Sequence, residues 1–220
     1  MKPYYQDDAV TLYCGDCREI LPQLGRFDLL LTDPPYGIMK RFVKQEKPES
    51  KNRTKFHSRF NDPCDWDEKP PSSEEFAEMF SLTENQVVFG ANYFTYGLPV
   101  SRGWVFWDKQ GDGMSSVNNE LIFTSRDRSI TTFSRCHGLD KGFMNKDGAF
   151  HPTQKPTALL RFCLSLFPDA KTVVDAYAGS GTTGVAAKLE GRKATLIELD
   201  ERYCEIAAKR LEQQVFEFGD

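Results

Sequence analysis

Short apolar runs alternate along the chain with stretches of helical period, and that alternation predicts the layers of the fold. Val10–Cys14 reads as a buried strand, followed by a helix from about Cys17 to Leu24. Phe27–Thr32 (FDLLLT) reads as a second buried strand that must stop at the Pro34-Pro35 pair, because neither a helix nor a central strand continues through two prolines. A helix is expected over Glu74–Leu82, with Ser72 or Ser73 as its N-cap. Strands are expected at Gln86–Phe89, Trp104–Trp107 and Glu120–Thr124. The last third is the most regular: helix Thr157–Phe167, strand Thr172–Ala176, a glycine-rich turn opening a helix to Glu190, strand Ala194–Ile197, and an amphipathic helix Glu201–Gln214. Strand–helix units repeated in this way predict an α/β fold, a mostly parallel central sheet with helices on both faces.

Two stretches break the pattern. Residues 37–73 are polar, charged and proline-bearing without a sustained period, and read as a long mobile loop. Residues 125–150 are irregular and rich in Gly, Arg and Lys. Neither separates two cores, so residues 1–220 are read as one domain. A chain of 220 residues with 40% hydrophobic and 27% charged positions can bury a core without covalent staples. It has no apolar run of membrane-spanning length, and Met1-Lys2-Pro3-Tyr4-Tyr5 lacks the apolar core of a signal peptide, so a cytoplasmic location is expected. The six cysteines are scattered. Cys14 and Cys17 form a C-x-x-C with no second pair at zinc spacing, and His57, His137 and His151 complete no ligand set. Structural thiols and no metal are expected.

Charge changes the picture more than composition does. The net charge of −4 argues against a nucleic-acid partner. Its distribution argues the other way. Lys40, Arg41, Lys44, Lys47, Lys51, Arg53, Lys55 and Arg59 crowd one segment against Glu46 and Glu49, and Arg126, Arg128, Arg135, Lys141 and Lys146 form a looser second run. The bland reading of each is a solvated loop. Set beside the motifs below, the first run reads as a flap that contacts nucleic-acid phosphates.

Two constellations carry chemistry. In the first, the strand ending at Asp175 feeds Gly179-Ser180-Gly181-Thr182-Thr183-Gly184, which fits G-x-G-x-x-G and opens a helix. Glycines let a ligand approach the backbone, the helix aims free N–H groups at it, and Glu198 at the end of the next strand can bind ribose hydroxyls. This pattern suits a nicotinamide dinucleotide as well as S-adenosylmethionine, so an oxidoreductase stays open. The second is Asp33-Pro34-Pro35-Tyr36, at the carboxyl end of an apolar strand, where open α/β sheets place their sites. Asp33 offers an acceptor, the prolines a rigid turn with the Pro34 carbonyl, and Tyr36 a flat face for an aromatic base. Asn92, Trp104, Trp107, Asn118 and Asn119 are weaker candidates for the same pocket, with core or dimer packing at least as good a reading.

Taken together, the motifs resemble the amino-group DNA methyltransferases, in the permuted class where D-P-P-Y precedes the cofactor loop. His151-Pro152-Thr153-Gln154-Lys155-Pro156 looks like the hexapeptide upstream of that family's cofactor strand. Asp175-Ala176-Tyr177-Ala178-Gly179-Ser180-Gly181-Thr182-Thr183 looks like its D-P-F-x-G-S-G-T-T loop, with Ala176 and Tyr177 in place of Pro and Phe. The resemblance implies a circularly permuted Rossmann-like fold and S-adenosylmethionine as cofactor. It also implies DNA as substrate, with the target base flipped out or single-stranded, and a homodimer. It assigns Asp33, Pro34, Pro35 and Tyr36 to catalysis. Asp16, Thr153, Lys155, Asp175, Tyr177, Gly179, Ser180, Gly181, Thr182 and Glu198 are assigned to the cofactor, and residues 125–150 to possible target recognition. D-P-P-Y is commoner among N6-adenine enzymes than the serine-led variant linked with cytosine, which points to adenine. N4-cytosine, RNA and protein glutamine remain as alternatives.

Overall fold

The computed structural model describes residues 1–37, 69–109, 119–134 and 154–212. The described residues form nine strands: β1 (Tyr5–Gln6), β2 (Val10–Cys14), β3 (Phe27–Thr32), β4 (Thr83–Val88), β5 (Trp104–Asp108), β6 (Glu120–Thr124), β7 (Thr131–Ser134), β8 (Thr172–Asp175) and β9 (Lys193–Glu198). They join one sheet in the order β1-β2-β9-β8-β3-β4-β6-β5-β7. The five neighbours β2, β9, β8, β3 and β4 are mutually parallel. β6 runs antiparallel to both β4 and β5, and β1 antiparallel to β2. The sheet is therefore mostly parallel, as its apolar strands imply.

The helices are α1 (Cys17–Ile20), α2 (Ser73–Ser81), α3 (Thr157–Ser165), α4 (Thr182–Leu189) and α5 (Glu201–Glu212). Strand periodicity assigns each side chain to a layer. Leu29 and Leu31 join Val173 and Leu196 in one cluster, packed with Leu160, Ala186 and Ala207 from α3, α4 and α5. Leu30, Val174 and Ile197 face the other way, against Ile20 and, from α2, Phe76 and Met79. Helices cover both faces, so the central strands carry apolar side chains on both sides.

Some boundaries differ from expectation. The helix expected over residues 17–24 is a single α-turn followed by a 3-10 turn at Leu21–Gln23, because Pro22 has no N–H with which to continue the α-ladder. β4 begins at Thr83, three residues early, and its polar start is tolerated because Asn85 Nδ2 donates to the Asp28 carbonyl at 3.1 Å and Gln86 Nε2 to that of Thr83 at 3.0 Å. β7 forms inside the stretch read as irregular, paired in parallel with β5 at the sheet edge. Ser72 rather than Ser73 caps α2: its hydroxyl accepts from Glu75 N, and Glu75 accepts from Ser72 N at 2.6 Å, a capping box.

Topology decides where a site can form. β8 continues to β9 on one side, while its neighbour β3 continues to β4 on the other. Connections leaving in opposite directions open a crevice at the carboxyl ends of this pair. Asp33 follows β3, and the glycine loop follows β8.

Candidate active site

At the β3 end, four ionisable side chains and one tyrosine form a closed network. Lys155 Nζ lies 2.7 Å from Asp33 Oδ2 and 3.4 Å from Glu120 Oε1. The Tyr36 hydroxyl is 2.7 Å from Asp33 Oδ1 and 3.0 Å from Glu120 Oε1, and accepts from Lys155 at 3.1 Å. Lys109 Nζ closes the far side, 3.0 Å from Glu120 Oε2. The tyrosine has a single hydrogen, so it donates to one carboxylate or the other at any moment.

Burial sets the electrostatics. It pushes the Asp33 carboxyl above the ordinary carboxylate range, against the pull of Lys155 and helped by the negative charge of Glu120. Burial also opposes ionisation of Glu120, but Lys155 and Lys109 outweigh it and hold that carboxyl low. Lys155 itself is held charged: burial lowers it, and the two carboxylates more than restore it. Tyr36 is pushed well up by burial and stays neutral. Two negative and two positive charges thus share a partly dry pocket, an arrangement tolerable only because every charge is paired.

The Tyr36 ring is fixed from outside the network. It stacks on Tyr93 at 4.9 Å and meets the edge of Phe94 at 5.7 Å. Gly90, left-handed at φ +61°, lies so close that a Cβ there would sit 2.3 Å from the ring.

The β8 end is built differently, from backbone and short side chains. Asp175 accepts from the Thr32 hydroxyl at 2.8 Å and the Thr183 hydroxyl at 2.6 Å, tying β3 and α4 to β8. Glu198 accepts from Gly179 N at 2.7 Å and Asp200 N at 2.8 Å, fixing the glycine loop against the end of β9. Burial raises both carboxyls to about 6. Arg210 of α5 donates to Ser180 Oγ at 2.8 Å and Thr182 Oγ1 at 3.2 Å, bracing the loop from behind. Asp16 caps α1 by accepting from Arg18 N at 2.9 Å.

One cavity of about 690 Å³ joins the two ends. Asp33, Pro34, Pro35, Tyr36 and Lys155 line one part of it, and Asp16, Asp175, Tyr177, Gly179, Ser180, Thr182 and Glu198 line the rest. Gly181 does not line it. At φ +76° a Cβ on Gly181 would meet the Ala207 Cβ at 2.9 Å, so this glycine serves the packing of the loop against α5 rather than the approach of a ligand. Lys155, expected among the cofactor residues, lines the cavity and pairs with Asp33.

Thr153, the basic run at 39–59, Asn118 and residues 135–150 lie outside the described residues. Trp107 is a core side chain and Trp104 packs edge-on against Phe123, while Asn92 is exposed and Asn119 accepts from Lys109 N at 3.1 Å. None of these four lines the cavity. Sequence reading missed Glu120, Lys109 and Gly90. A charged residue opening the apolar strand ELIFT was the available hint for the first.

Comparison with known proteins identifies the family and the fold. A family model described as DNA methylase, of the N6/N4 methyltransferases, matches residues 41–209. The type II methyltransferase M2.DpnII of Streptococcus pneumoniae is 46% identical, across 97% of this chain and 93% of its own length. The type II methyltransferase M.HinfI of Haemophilus influenzae is 24% identical, across 97% of this chain and 71% of its own. Among solved structures, the cytosine-N4-specific PvuII DNA methyltransferase superimposes with a TM-score of 0.62 at 17% identity, covering 98% of this chain and 91% of that one. The M1.HpyAVI–SAM complex superimposes with a TM-score of 0.59 at 20% identity, covering 93% and 100%. The fold is the Rossmann-like fold of S-adenosylmethionine-dependent methyltransferases, and the chain belongs to the N6/N4 DNA methylase family.

The cofactor of this family is S-adenosylmethionine, and the cavity suits it. Its volume fits a ligand of that size. The first turn of α4, at Thr182 and Thr183, opens on it beside the buried Glu198 carboxylate and the Tyr177 ring. An oxidoreductase reading leaves the Asp33 network unexplained, and the family assignment sets it aside.

Proposed function

We propose that this protein transfers a methyl group to N6 of adenine in DNA, as a single domain of the permuted class, acting on a base flipped from the duplex or already single-stranded. The observation that carries the reading is the shared cavity: the acid-proline-proline-tyrosine corner and the glycine loop face one space. The match to the DNA methylase family model and the 46% identity to the type II methyltransferase M2.DpnII support DNA methylation, and the aspartate-led tetrapeptide supports adenine over cytosine.

An aromatic amino nitrogen is a poor nucleophile, because its lone pair is delocalised into the ring. In this reading it donates one hydrogen to Asp33 and the other to the Pro34 carbonyl, while the base lies against the Tyr36–Tyr93 pair. Two such hydrogen bonds favour a tetrahedral nitrogen whose lone pair points into the cavity. S-adenosylmethionine, when bound, supplies an electrophilic sulfonium methyl group. Glu198, Tyr177, Asp16, Ser180 and Thr182 would hold it. The protein contributes positioning and a fixed electrostatic surround. Extruding a base costs a few kcal/mol, which base stacking and phosphate contacts from the basic runs at 39–59 and 126–146 offset. A homodimer is part of the same reading, carried by family resemblance.

The test is product analysis. The chain is incubated with labelled S-adenosylmethionine and mixed DNA, and the digested nucleosides are separated by mass spectrometry. N6-methyldeoxyadenosine is the expected product. N4-methyldeoxycytidine would reassign the base, and label in RNA or protein but not DNA would overturn the substrate.

A further inference from the structure

We propose that Glu120 is a positioning residue for methyl transfer: it shares the Tyr36 hydroxyl and the Lys155 ammonium with Asp33, leaving Asp33 able to take hydrogen from the target amino group. The inference rests on the base-methylation reading and adds a residue to its machinery.

Geometry is the first support. Both oxygens of Glu120 are committed, Oε1 to Tyr36 at 3.0 Å and Lys155 at 3.4 Å, Oε2 to Lys109 at 3.0 Å. Asp33 has both oxygens engaged as well, by the same tyrosine and the same lysine. A base amino group therefore meets a carboxylate that is already occupied. Glu120 relieves this. The single Tyr36 hydrogen can turn to Glu120, which frees Asp33 Oδ1 to accept from the base.

Burial is the second support. Two carboxylates joined through one hydroxyl, on a side chain only 9% exposed in the case of Glu120, are costly to desolvate. Packing alone would be served by an apolar side chain at the start of β6.

Proton balance makes the arrangement useful. When the amino nitrogen's lone pair forms the N–C bond, the S–C bond breaks and its electrons return to sulfur. The nitrogen then carries one hydrogen too many. That proton leaves for the Asp33 carboxylate, its N–H electrons remaining on nitrogen, and later passes to solvent. A second negative charge beside Asp33 raises its proton affinity. The charged and titratable groups facing this pair are Lys109 just after β5, Lys155 just before α3, Cys163 within it, Tyr36 from the corner, and Asp175 beyond Asp33.

The experiment is single-turnover methyl transfer at saturating S-adenosylmethionine, from about pH 5 to about pH 9, with cofactor affinity measured alongside by calorimetry. Glu120→Gln keeps the shape and an acceptor for Tyr36 but removes the charge. Its rate should fall about tenfold or more, with cofactor affinity unchanged. The acid limb should move to lower pH, because Asp33 loses a neighbour that favours its protonated form. Glu120→Asp should leave the limb where the wild type has it. Lys109→Met removes a positive charge and should move the limb to higher pH.

A Glu120→Gln enzyme with wild-type rate overturns the proposal, and so does a slowed one whose acid limb stays in place. If Glu120→Gln fails to fold, an unmoved limb in Lys109→Met does the same. Absence of methyl transfer by the wild type would overturn this proposal together with the methylation reading. An active wild type with the limb unmoved in both Glu120→Gln and Lys109→Met counts against Glu120 alone.

Discussion

The two ends of the cavity solve opposite problems with opposite materials. The β8 end holds its shape through backbone amides, hydroxyls and close glycine packing, and its two buried carboxylates are satisfied by neutral donors from their immediate surroundings. The β3 end is held by charge, with Asp33, Glu120, Lys109 and Lys155 neutralising one another around Tyr36. A cofactor that must be bound in one pose and released needs a rigid mould, which short groups provide. A base that must lose a proton needs groups whose protonation responds to what lies beside them, which paired charges provide. The difference predicts that changes at the β3 end should reach the rate first, and changes at the β8 end stability and affinity first.

The sharpest way to break that contrast is Asp33→Ala. Methyl incorporation into DNA should drop on the order of 10²–10⁴-fold, with S-adenosylmethionine affinity within a few-fold of wild type by calorimetry. Folding should suffer less than the roughly 3–5 kcal/mol typical of a stranded buried charge, because Lys155 keeps Glu120 at 3.4 Å. Loss of cofactor binding instead would mean that the two ends are not separable. Next in size is Gly90→Ala, which touches no ligand in this reading. The left-handed backbone at φ +61° costs an alanine about 1–2 kcal/mol, and the new Cβ drives into the Tyr36 ring. A ring moved by even a fraction of an ångström should slow transfer about 10–100-fold with cofactor affinity kept. A wild-type rate would show that Tyr36 need not be held there.

The same contrast explains what could be read from the chain. The glycine loop, Glu198 and the acid-proline-proline-tyrosine corner each stand as a contiguous run at the end of an apolar strand, so local pattern and strand polarity located them. Glu120 reaches Tyr36 across 84 residues, and Lys155 reaches Asp33 across 122. Nothing local marks such partners, because their meaning arises only when β6 is laid beside β4 and the entry to α3 crosses the end of β3. The hexapeptide marks Lys155 as a site residue, but sequence order does not show that Asp33 is its neighbour. Gly90 escaped for a related reason: a glycine after a strand reads as a turn, and the ring that requires it lies 54 positions away by the numbering of Tyr36 and Gly90. The edge strand β7 has too little apolar content to stand out from the irregular stretch around it.

At the β8 end the corresponding variant is Gly181→Ala. Its Cβ would press on Ala207 at 2.9 Å, and its φ of +76° adds about 1–2 kcal/mol of backbone strain. The thermal midpoint should fall, while the rate at saturating cofactor stays close to wild type. In an Ala207→Gly background, which itself loses about 1 kcal/mol within α5, Gly181→Ala should cost less than it does in the wild type, by the part due to contact, and should keep the part due to φ. An equal cost of Gly181→Ala in the two backgrounds would mean that the contact carries none of it.

Smallest in effect, but most specific in sign, is the pH dependence of cofactor binding. Burial raises the Glu198 carboxyl to about 6. A folded-state value above the ordinary one means that Glu198 contributes stability to the apo protein at low pH, and that this contribution is lost as pH rises through about 6. Ribose hydroxyls, as donors, prefer the ionised carboxylate, so cofactor affinity should move the opposite way. By calorimetry, S-adenosylmethionine should bind about tenfold more weakly one pH unit below the Glu198 value than well above it. Asp175 titrates in the same range, also from burial, and must be separated from it. Glu198→Gln does so. Its amide turns an N–H₂ towards the backbone N–H of Gly179 or Asp200, so affinity should be lower at every pH, but the dependence near 6 should flatten. A slope that survives Glu198→Gln would assign the titration to Asp175 and remove Glu198 from the ribose, leaving it as the brace of the glycine loop.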